Sequence, residues 1–116
     1  MPAPRLSIRI DLADGHRIGP GKIALLEAIK TTGSISAAAR KLGMSYRRAW
    51  LLVEDVNKAL RQPAVSAAMG GRHGGGAMVT ANGEQIVDLY RAIEARALSA
   101  SNDEFRAIRK LTRAVR

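Results

Sequence analysis

The alternation of apolar and polar positions divides the chain into helices that end at glycines, with short strands near the start and in the middle. Residues 5–12 alternate strictly between the two classes, which predicts a half-buried strand. Gly19-Pro20 predicts the start of a first helix, because proline at the first helical position gives up no hydrogen bond that the helix needs. Gly33 predicts its end, since glycine favours the left-handed conformation that closes many helices.

Two shorter helices follow and are joined by a tight turn. Ser34 and Ser36 are both candidate N-caps of a helix that stops at Gly43. Ser45 is the candidate N-cap of the next helix, in which apolar residues recur at helical spacing as far as Leu60. The predicted order up to this point is strand, helix, helix, helix.

The middle of the chain predicts a β-hairpin. Two short apolar runs, at residues 65–69 and 77–80, flank a glycine-rich segment at residues 70–76. The glycines predict a long and flexible hairpin tip, and this tip carries Arg72 and His73.

The last segment is helical, and its pattern leaves two arrangements open. Thr80 is the candidate N-cap, and apolar stripes at helical spacing occupy residues 86–98 and 105–115. Between the stripes, Ser101 and Glu104 have the spacing of a capping box. The segment is therefore either one long helix with a weak point or two helices.

Composition narrows the class of protein. The chain has 116 residues, 47% of them hydrophobic and only 3% aromatic, which predicts one modest core built from aliphatic side chains. The absence of cysteine excludes disulfides and thiolate metal sites and fits a reducing compartment. Neither a signal peptide nor an apolar run long enough for a membrane span is present, so we expect a cytoplasmic protein without a membrane partner.

The charge is strongly basic and is concentrated in the middle third. The net charge is +9, and residues 34–64 alone carry six basic and two acidic side chains. Such an excess can mean only that the surface is basic, but where it coincides with a binding motif it favours a polyanionic partner.

The helix pair before the hairpin has the pattern of a helix-turn-helix. Ala39 and Gly43 are four residues apart, which allows two helices to approach closely and the chain to turn sharply. Apolar Leu42, Met44 and Ala49 occupy positions where the two helices would pack. Ordinary pairs of antiparallel helices share this spacing. The β-hairpin predicted after the second helix nevertheless favours a winged helix-turn-helix, a mainly α fold with a small β-sheet.

Four residues at the start of the second helix of this motif are the candidate DNA contacts. A helix in this position lies in the major groove with its first turns toward the base edges. Arg47 and Arg48 are the best candidates because a guanidinium matches guanine O6 and N7, although both could instead be solvated charges. We expect Trp50 to pack against the core rather than to contact the DNA backbone. The four candidates are Ser45, Tyr46, Arg47 and Arg48.

The glycine-rich tip of the predicted hairpin is the second candidate DNA contact, and the sequence gives little sign of nucleotide-binding, metal or catalytic sites. Arg72 and His73 could reach a DNA groove or phosphates, and the alternative is a loop without a function in binding. The tip leads into a strand-like run and lacks the Gly-Lys-Ser/Thr of a nucleotide-binding loop. The two histidines lie in different loops and no nucleophile elbow occurs, so we expect no metal site, no cofactor and no enzyme activity. The pairs Asp11 with Asp14 and Glu54 with Asp55 are interpreted as solvated charges.

Several of these segments together resemble the N-terminal domain of ModE-type molybdate-responsive regulators, a domain that is also similar to the DNA-binding domain of LysR-type regulators. The resemblance covers roughly residues 5–100, and its most specific part is Ser-Tyr-x-x-Ala-Trp at residues 45–50 followed by the glycine-rich loop. It implies a winged helix, a homodimer joined through a long C-terminal helix, and binding to palindromic double-stranded DNA. By position, residues 45–48 match the start of the recognition helix, and Arg72 and His73 match the wing.

The resemblance also sets expectations about domains and ligands. We expect a DNA-binding domain at residues 1–83 and a helical dimerisation segment at residues 84–116. Molybdate-sensing members of the family carry further C-terminal oxyanion-binding domains, whereas this chain ends at Arg116. We therefore expect a nucleoid-associated transcription regulator without molybdate binding. The alternatives are a nucleoid-type protein that binds DNA or RNA without sequence specificity and an adaptor that binds another protein.

Overall fold

The fold is mainly α-helical, with two small antiparallel sheets and a long C-terminal helix, as expected for a winged helix. The structure is a computed structural model and describes residues 5–68 and 76–113. In chain order its elements are β1 (Ile10–Asp11), β2 (Arg17–Ile18), α1 (Pro20–Thr32), α2 (Ile35–Leu42), α3 (Tyr46–Ala59), β3 (Val65–Ala68), β4 (Gly76–Val79), α4 (Ala81–Ala100) and α5 (Asn102–Leu111).

The predicted N-terminal strand keeps its alternation but pairs over only two residues. Side chains from residue 5 to residue 12 alternate between exposed and half-buried. The ladder joins Ile10 to Ile18 and one further pair, because the chain turns at Gly15 and enters α1 at Pro20. The apolar face of this strand packs on a small cluster around Tyr90.

The first three helices begin and end at residues that the sequence singles out. Gly33 and Gly43 close α1 and α2 with φ values of 76° and 70°, in the left-handed region where glycine is favoured. Of the two candidate caps of α2, Ser34 is the one used, and its hydroxyl accepts a hydrogen bond from Ala37 N–H at 2.9 Å. Ser45 caps α3 in the same way, as predicted.

The core is aliphatic, as the composition predicts, with one aromatic exception. Tyr90 on α4 is 1% exposed and donates a hydrogen bond from its hydroxyl to the Ile8 carbonyl at 2.6 Å. Burial raises the pKa of the Tyr90 phenol. The main cluster lies between α1, α2, α3 and the hairpin and consists of Leu25, Leu26, Ala28, Ile29, Ala38, Ala39, Ala49, Val53, Val56, Ala64, Val65 and Ala77.

The predicted hairpin is confirmed as β3 paired with β4. The register runs from Val65 opposite Val79 to Ala68 opposite Gly76. The second strand is also joined to the first helix pair, since Ala77 N–H donates to the Gly33 carbonyl at 2.9 Å. The hairpin tip lies outside the described residues.

The C-terminal segment consists of two helices, which settles the alternative that the sequence leaves open. α4 ends at Ala100 and α5 begins at Asn102. Ser101 does not form the predicted capping box, because its hydroxyl donates to the Ala97 carbonyl at 2.6 Å and caps nothing in α5. The Ser101 hydroxyl thus satisfies a carbonyl in the last turn of α4, and α5 begins without a side-chain N-cap.

A short segment before β3 is held by α3 and α4. The Asn57 side chain accepts hydrogen bonds from Ala64 N–H (2.8 Å) and Val65 N–H (3.1 Å) and donates one to the Val65 carbonyl (3.1 Å). On the other side, α4 approaches Ala64 so closely that a Cβ at Gly83 would overlap the Ala64 carbonyl oxygen. The start of the hairpin is therefore fixed to the body of the domain through side-chain and backbone contacts.

We expect Asn57→Leu to lower the free energy of unfolding by roughly 1–3 kcal/mol, because it leaves the buried N–H groups of Ala64 and Val65 without an acceptor. Urea denaturation followed by circular dichroism measures this change. Asn82→Leu is the control, since Asn82 makes a single exposed hydrogen bond to the Gln62 carbonyl and its loss should cost less than about 0.5 kcal/mol. Equal losses in both variants would contradict the assigned role of Asn57.

Candidate nucleic-acid interface

α2 and α3 are packed as the helix-turn-helix pattern predicts. Ala39 and Ala49 are 2% and 0% exposed at the contact between the helices. Met44 N–H continues the turn by donating to the Ala39 carbonyl at 3.0 Å, and the Met44 side chain packs on the core. Leu42 is 36% exposed, so the prediction that it packs between the helices is wrong. Small residues bring the two backbones together, and Leu42 lies outside the core cluster.

The four predicted recognition residues are brought together at the N-terminal end of α3. Ser45 is committed to the helix cap, since its hydroxyl accepts a hydrogen bond from Arg48 N–H at 3.1 Å. Tyr46 is 56% exposed, and Arg47 and Arg48 are exposed as well. Within the described parts of the chain, neither arginine forms a salt bridge.

The stretch of sequence that contains these arginines has no acidic residue for 26 positions, from residue 28 to residue 53. Residues 28–53 include Lys30 and four further basic residues but neither aspartate nor glutamate. Two of the basic residues, Arg40 and Lys41, lie exposed in the last turn of α2. The end of α2 and the start of α3 therefore expose four cationic side chains within this acid-free stretch: Arg40, Lys41, Arg47 and Arg48.

Trp50 is placed differently from the prediction. Its side chain is 44% exposed, and the adjacent Leu51 is 47% exposed. The interpretation of Trp50 as a core residue is therefore wrong. Ala49 and Val53 turn toward the core on this helix, and Trp50 lies beyond the edge of the face they define.

The hairpin lies next to the start of α3. A depression of about 250 Å³ separates the hairpin from α2 and α3, and among its lining residues are Ser34, Tyr46 and Ser66. Arg72 and His73 lie outside the described residues. The hairpin and Tyr46, one of the four predicted recognition residues, thus border one depression.

Asp55 has a structural role that the sequence does not indicate. Its carboxylate is bound by Lys22 Nζ from α1 and lies 3.0 Å from His16 Nδ1 in the loop between β1 and β2. The Lys22 hydrogen bond is the main reason that the pKa of Asp55 is lowered, with a smaller contribution from His16. Lys22 also donates to the Arg17 carbonyl at 2.6 Å. The prediction that Asp55 is a simply solvated charge is wrong, because it joins three parts of the fold.

A second ion-pair network joins α4 to α1. Arg91 binds Glu27 at 2.5 Å and Glu94 at 2.7 Å, which raises the pKa of Arg91 and lowers that of Glu27. No group of three or more potential metal-ligating side chains occurs in the ranges 5–68 and 76–113. Across the same ranges, no helix combines the length and the apolar character needed to cross a membrane.

Comparison with known proteins identifies relatives that share most of this chain. No family model matches it. The molybdenum-pterin-binding protein MopB of Rhodobacter capsulatus is 53% identical over 81 residues, which are 70% of this chain and 30% of MopB. The molybdenum transport protein ModE of Azotobacter vinelandii is 40% identical over 90 residues, which are 78% of this chain and 33% of that protein.

A third relative carries a name that describes DNA binding. The DNA-binding transcriptional dual regulator ModE of Escherichia coli is 39% identical over 71 residues, which are 61% of this chain and 27% of that protein. The chain spans about a third of the length of the curated relatives it matches. ModE and ModE-like Mop proteins are therefore homologues of this chain over about 70% of its length, and its fold is consistent with a ModE-type N-terminal domain.

Proposed function

We propose that this chain binds specific sequences of double-stranded DNA and acts as a transcription regulator rather than as an enzyme. The observation that carries the proposal is the exposed N-terminal turn of α3, where Arg47 and Arg48 stand without a salt-bridge partner among the described residues. The acid-free segment from residue 28 to residue 53 supports the same conclusion, because nothing in it repels phosphate. A regulator of this kind would be located with the nucleoid.

The proposed contacts divide by chemistry. Arg47 and Arg48 enter the major groove with the first turn of α3, where a guanidinium pairs with guanine O6 and N7. Ser45 and Tyr46 contact phosphates or base edges at the same end of the helix. Arg72 and His73 in the hairpin tip stay predicted wing contacts. The name of the Escherichia coli relative, a DNA-binding transcriptional dual regulator, supports this reading of the shared segment.

Arg47→Ala provides the first test. We expect it to weaken binding to a duplex selected from a random pool by about 5–150-fold and to relax preference at one base pair, because one guanine contact is lost. Arg109→Ala, an equal change of charge on exposed α5, should leave this affinity within about twofold.

The same selection, at a fixed salt concentration, separates the alternatives. An enriched palindrome supports a dimeric and sequence-specific regulator. Retention of DNA without an enriched sequence would instead identify the nucleoid-type protein, and no retention would favour an adaptor. If Arg47→Ala weakens binding equally on all sequences, Arg47 contacts a phosphate and the base assignment falls.

We propose further that the protein is a homodimer joined through the C-terminal helices. The outer face of α4 exposes Leu89 and Ile93, which are 53% and 45% exposed and one helical turn apart, while Tyr90 and Arg91 face the domain. α5 continues this surface with Ile108 and Leu111 exposed. Two copies of α4, each about 30 Å long, would bury these side chains against each other.

The combined substitution Leu89→Glu and Ile93→Glu should convert the dimer to a monomer, because it places carboxylates within the proposed apolar contact. Light scattering at micromolar concentration should give twice the chain mass of 12.4 kDa for the unaltered protein and 12.4 kDa for the variant. Gln62→Glu, which adds a carboxylate in the exposed loop before β3 and away from this face, should stay dimeric. A monomer mass for the unaltered protein would contradict the proposal.

Molybdate is not a ligand of this segment in our proposal, although two relatives are named as molybdenum-pterin-binding proteins. The depression lined by Arg5 and Arg91 also contains Glu94 and apolar side chains, and Arg91 is already bound to two carboxylates. Titration calorimetry with sodium molybdate should therefore show no saturable heat. Stoichiometric binding at micromolar molybdate would contradict this prediction.

A further inference from the structure

The exposed face of α3 changes in character along its length. Arg47 lies in the first turn, Trp50 and Leu51 follow at i+3 and i+4, and Glu54 and Lys58 lie one and two turns further on. Trp50 is the single tryptophan of the chain, and both it and Leu51 are nearly half exposed. Large apolar side chains that share one exposed face mark a contact surface more often than scattered ones do.

The charges around this apolar pair favour a polyanion as the partner. On its N-terminal side lie the cationic side chains of Arg47 and Arg48. On its C-terminal side, Glu54 is the nearest carboxylate on the same face, and Lys58 Nζ binds it at 3.1 Å. Lys58 therefore offsets the negative charge of Glu54, which would otherwise repel phosphate. Trp50 and Leu51 lie between the basic first turn of α3 and this ion pair.

The flank of the indole is open. A groove of about 290 Å³ runs beside Trp50 and is lined by Val53, Glu54, Asn57 and Lys58. The position of Trp50 is nevertheless fixed, since Ala49 is fully buried and Asn57 holds the C-terminal half of α3 to the hairpin. The indole thus projects from a rigid helix into space that another molecule can occupy.

The spacing along α3 relates these side chains to positions along DNA when the helix axis follows the groove. Three residues of α-helix advance about 4.5 Å along the axis, and successive base pairs are about 3.4 Å apart. A helix with Arg47 on a base edge therefore has Trp50 and Leu51 one or two base pairs further along the groove. The apolar group that the major groove displays is the C5-methyl of thymine.

We propose that Trp50, with Leu51 beside it, contacts a thymine methyl group in the major groove one or two base pairs from the base contacted by Arg47. This inference rests on the proposed function, because it requires α3 to enter the groove. It adds a specificity-determining apolar contact to the polar contacts of the basic turn. A protein partner on the same face is the competing occupant, and the test separates the two.

The test uses the full chain and a duplex selected from a random pool, in which each thymine near the Arg47 position is replaced in turn by deoxyuridine. This replacement removes the methyl group and changes no hydrogen bond. We expect the unaltered protein to lose about 3–5-fold in affinity at one or two positions, the value of one buried methyl group. In Trp50→Ala the same replacements should have no effect, whereas Arg47→Ala should keep the sensitivity to them.

Trp50 also provides a direct signal, because its emission is the whole tryptophan fluorescence of the chain. Binding of the selected duplex should shift this emission to shorter wavelength and reduce its quenching by acrylamide. Trp50→Ala should unfold at the temperature of the unaltered protein within a few degrees, since the side chain is exposed.

Three outcomes would overturn the inference. If Trp50→Ala is as sensitive to deoxyuridine as the unaltered protein, the methyl contact lies elsewhere. If the indole stays as accessible to acrylamide on the duplex as it is in the free protein, this face does not enter the groove and is left for a protein partner. If no duplex is retained, the proposed function falls and the inference with it, whereas Arg47-dependent binding without a Trp50 effect removes the inference alone.

Discussion

The position of the hairpin relative to α3 depends on the side-chain amide of Asn57. One acceptor and one donor on this residue satisfy three backbone groups of Ala64 and Val65, just where β3 begins. These two residues are buried, so the groups would otherwise be cut off from water at a cost comparable to a lost hydrogen bond. Because Asn57 belongs to the same helix as Arg47, the amide fixes the wing to the element proposed to contact DNA.

The second strand of the hairpin is fixed by a different device, the turn between α1 and α2. Gly33 takes a left-handed conformation that ends α1, and its carbonyl then accepts the N–H of Ala77. Gly76 lies close by, and a Cβ there would come within 3.2 Å of the Ala68 side chain. The turn between α1 and α2 therefore also anchors β4, at the end of the strand that is nearer the hairpin tip, whereas Asn57 anchors β3 at its start.

Local signals account for what the sequence predicts correctly, and tertiary geometry accounts for what it misses. Gly43 and Ser45 mark helix ends through their own backbone and hydroxyl preferences, which act within a few residues. The Ser101 hydroxyl can cap α5 or bond to the Ala97 carbonyl of α4, and the spacing of a capping box does not tell which of the two forms. The sequence misassigns Asp55 and Trp50 because their surroundings come from tertiary packing. Lys22 and His16 approach Asp55 from α1 and the first loop, whereas the indole of Trp50 stays 44% exposed beside the core face of α3.

The ion pairs of α1, α3 and α4 bear on where the excess positive charge of the fold is exposed. Glu27 and Glu94 are bound to Arg91, and Asp55 is bound to Lys22, so these carboxylates are placed between α1, α3 and α4. Partly exposed pairs of this kind add little stability singly. Together they hold three carboxylates beside two cations, Lys22 and Arg91, away from α2 and the start of α3. The exposed cations of α2 and of the first turn of α3 form no salt bridge among the described residues, and residues 28–53 contain no acid. The distribution of acids, more than the number of bases, therefore gives this protein a directed positive surface that complements a polyanion.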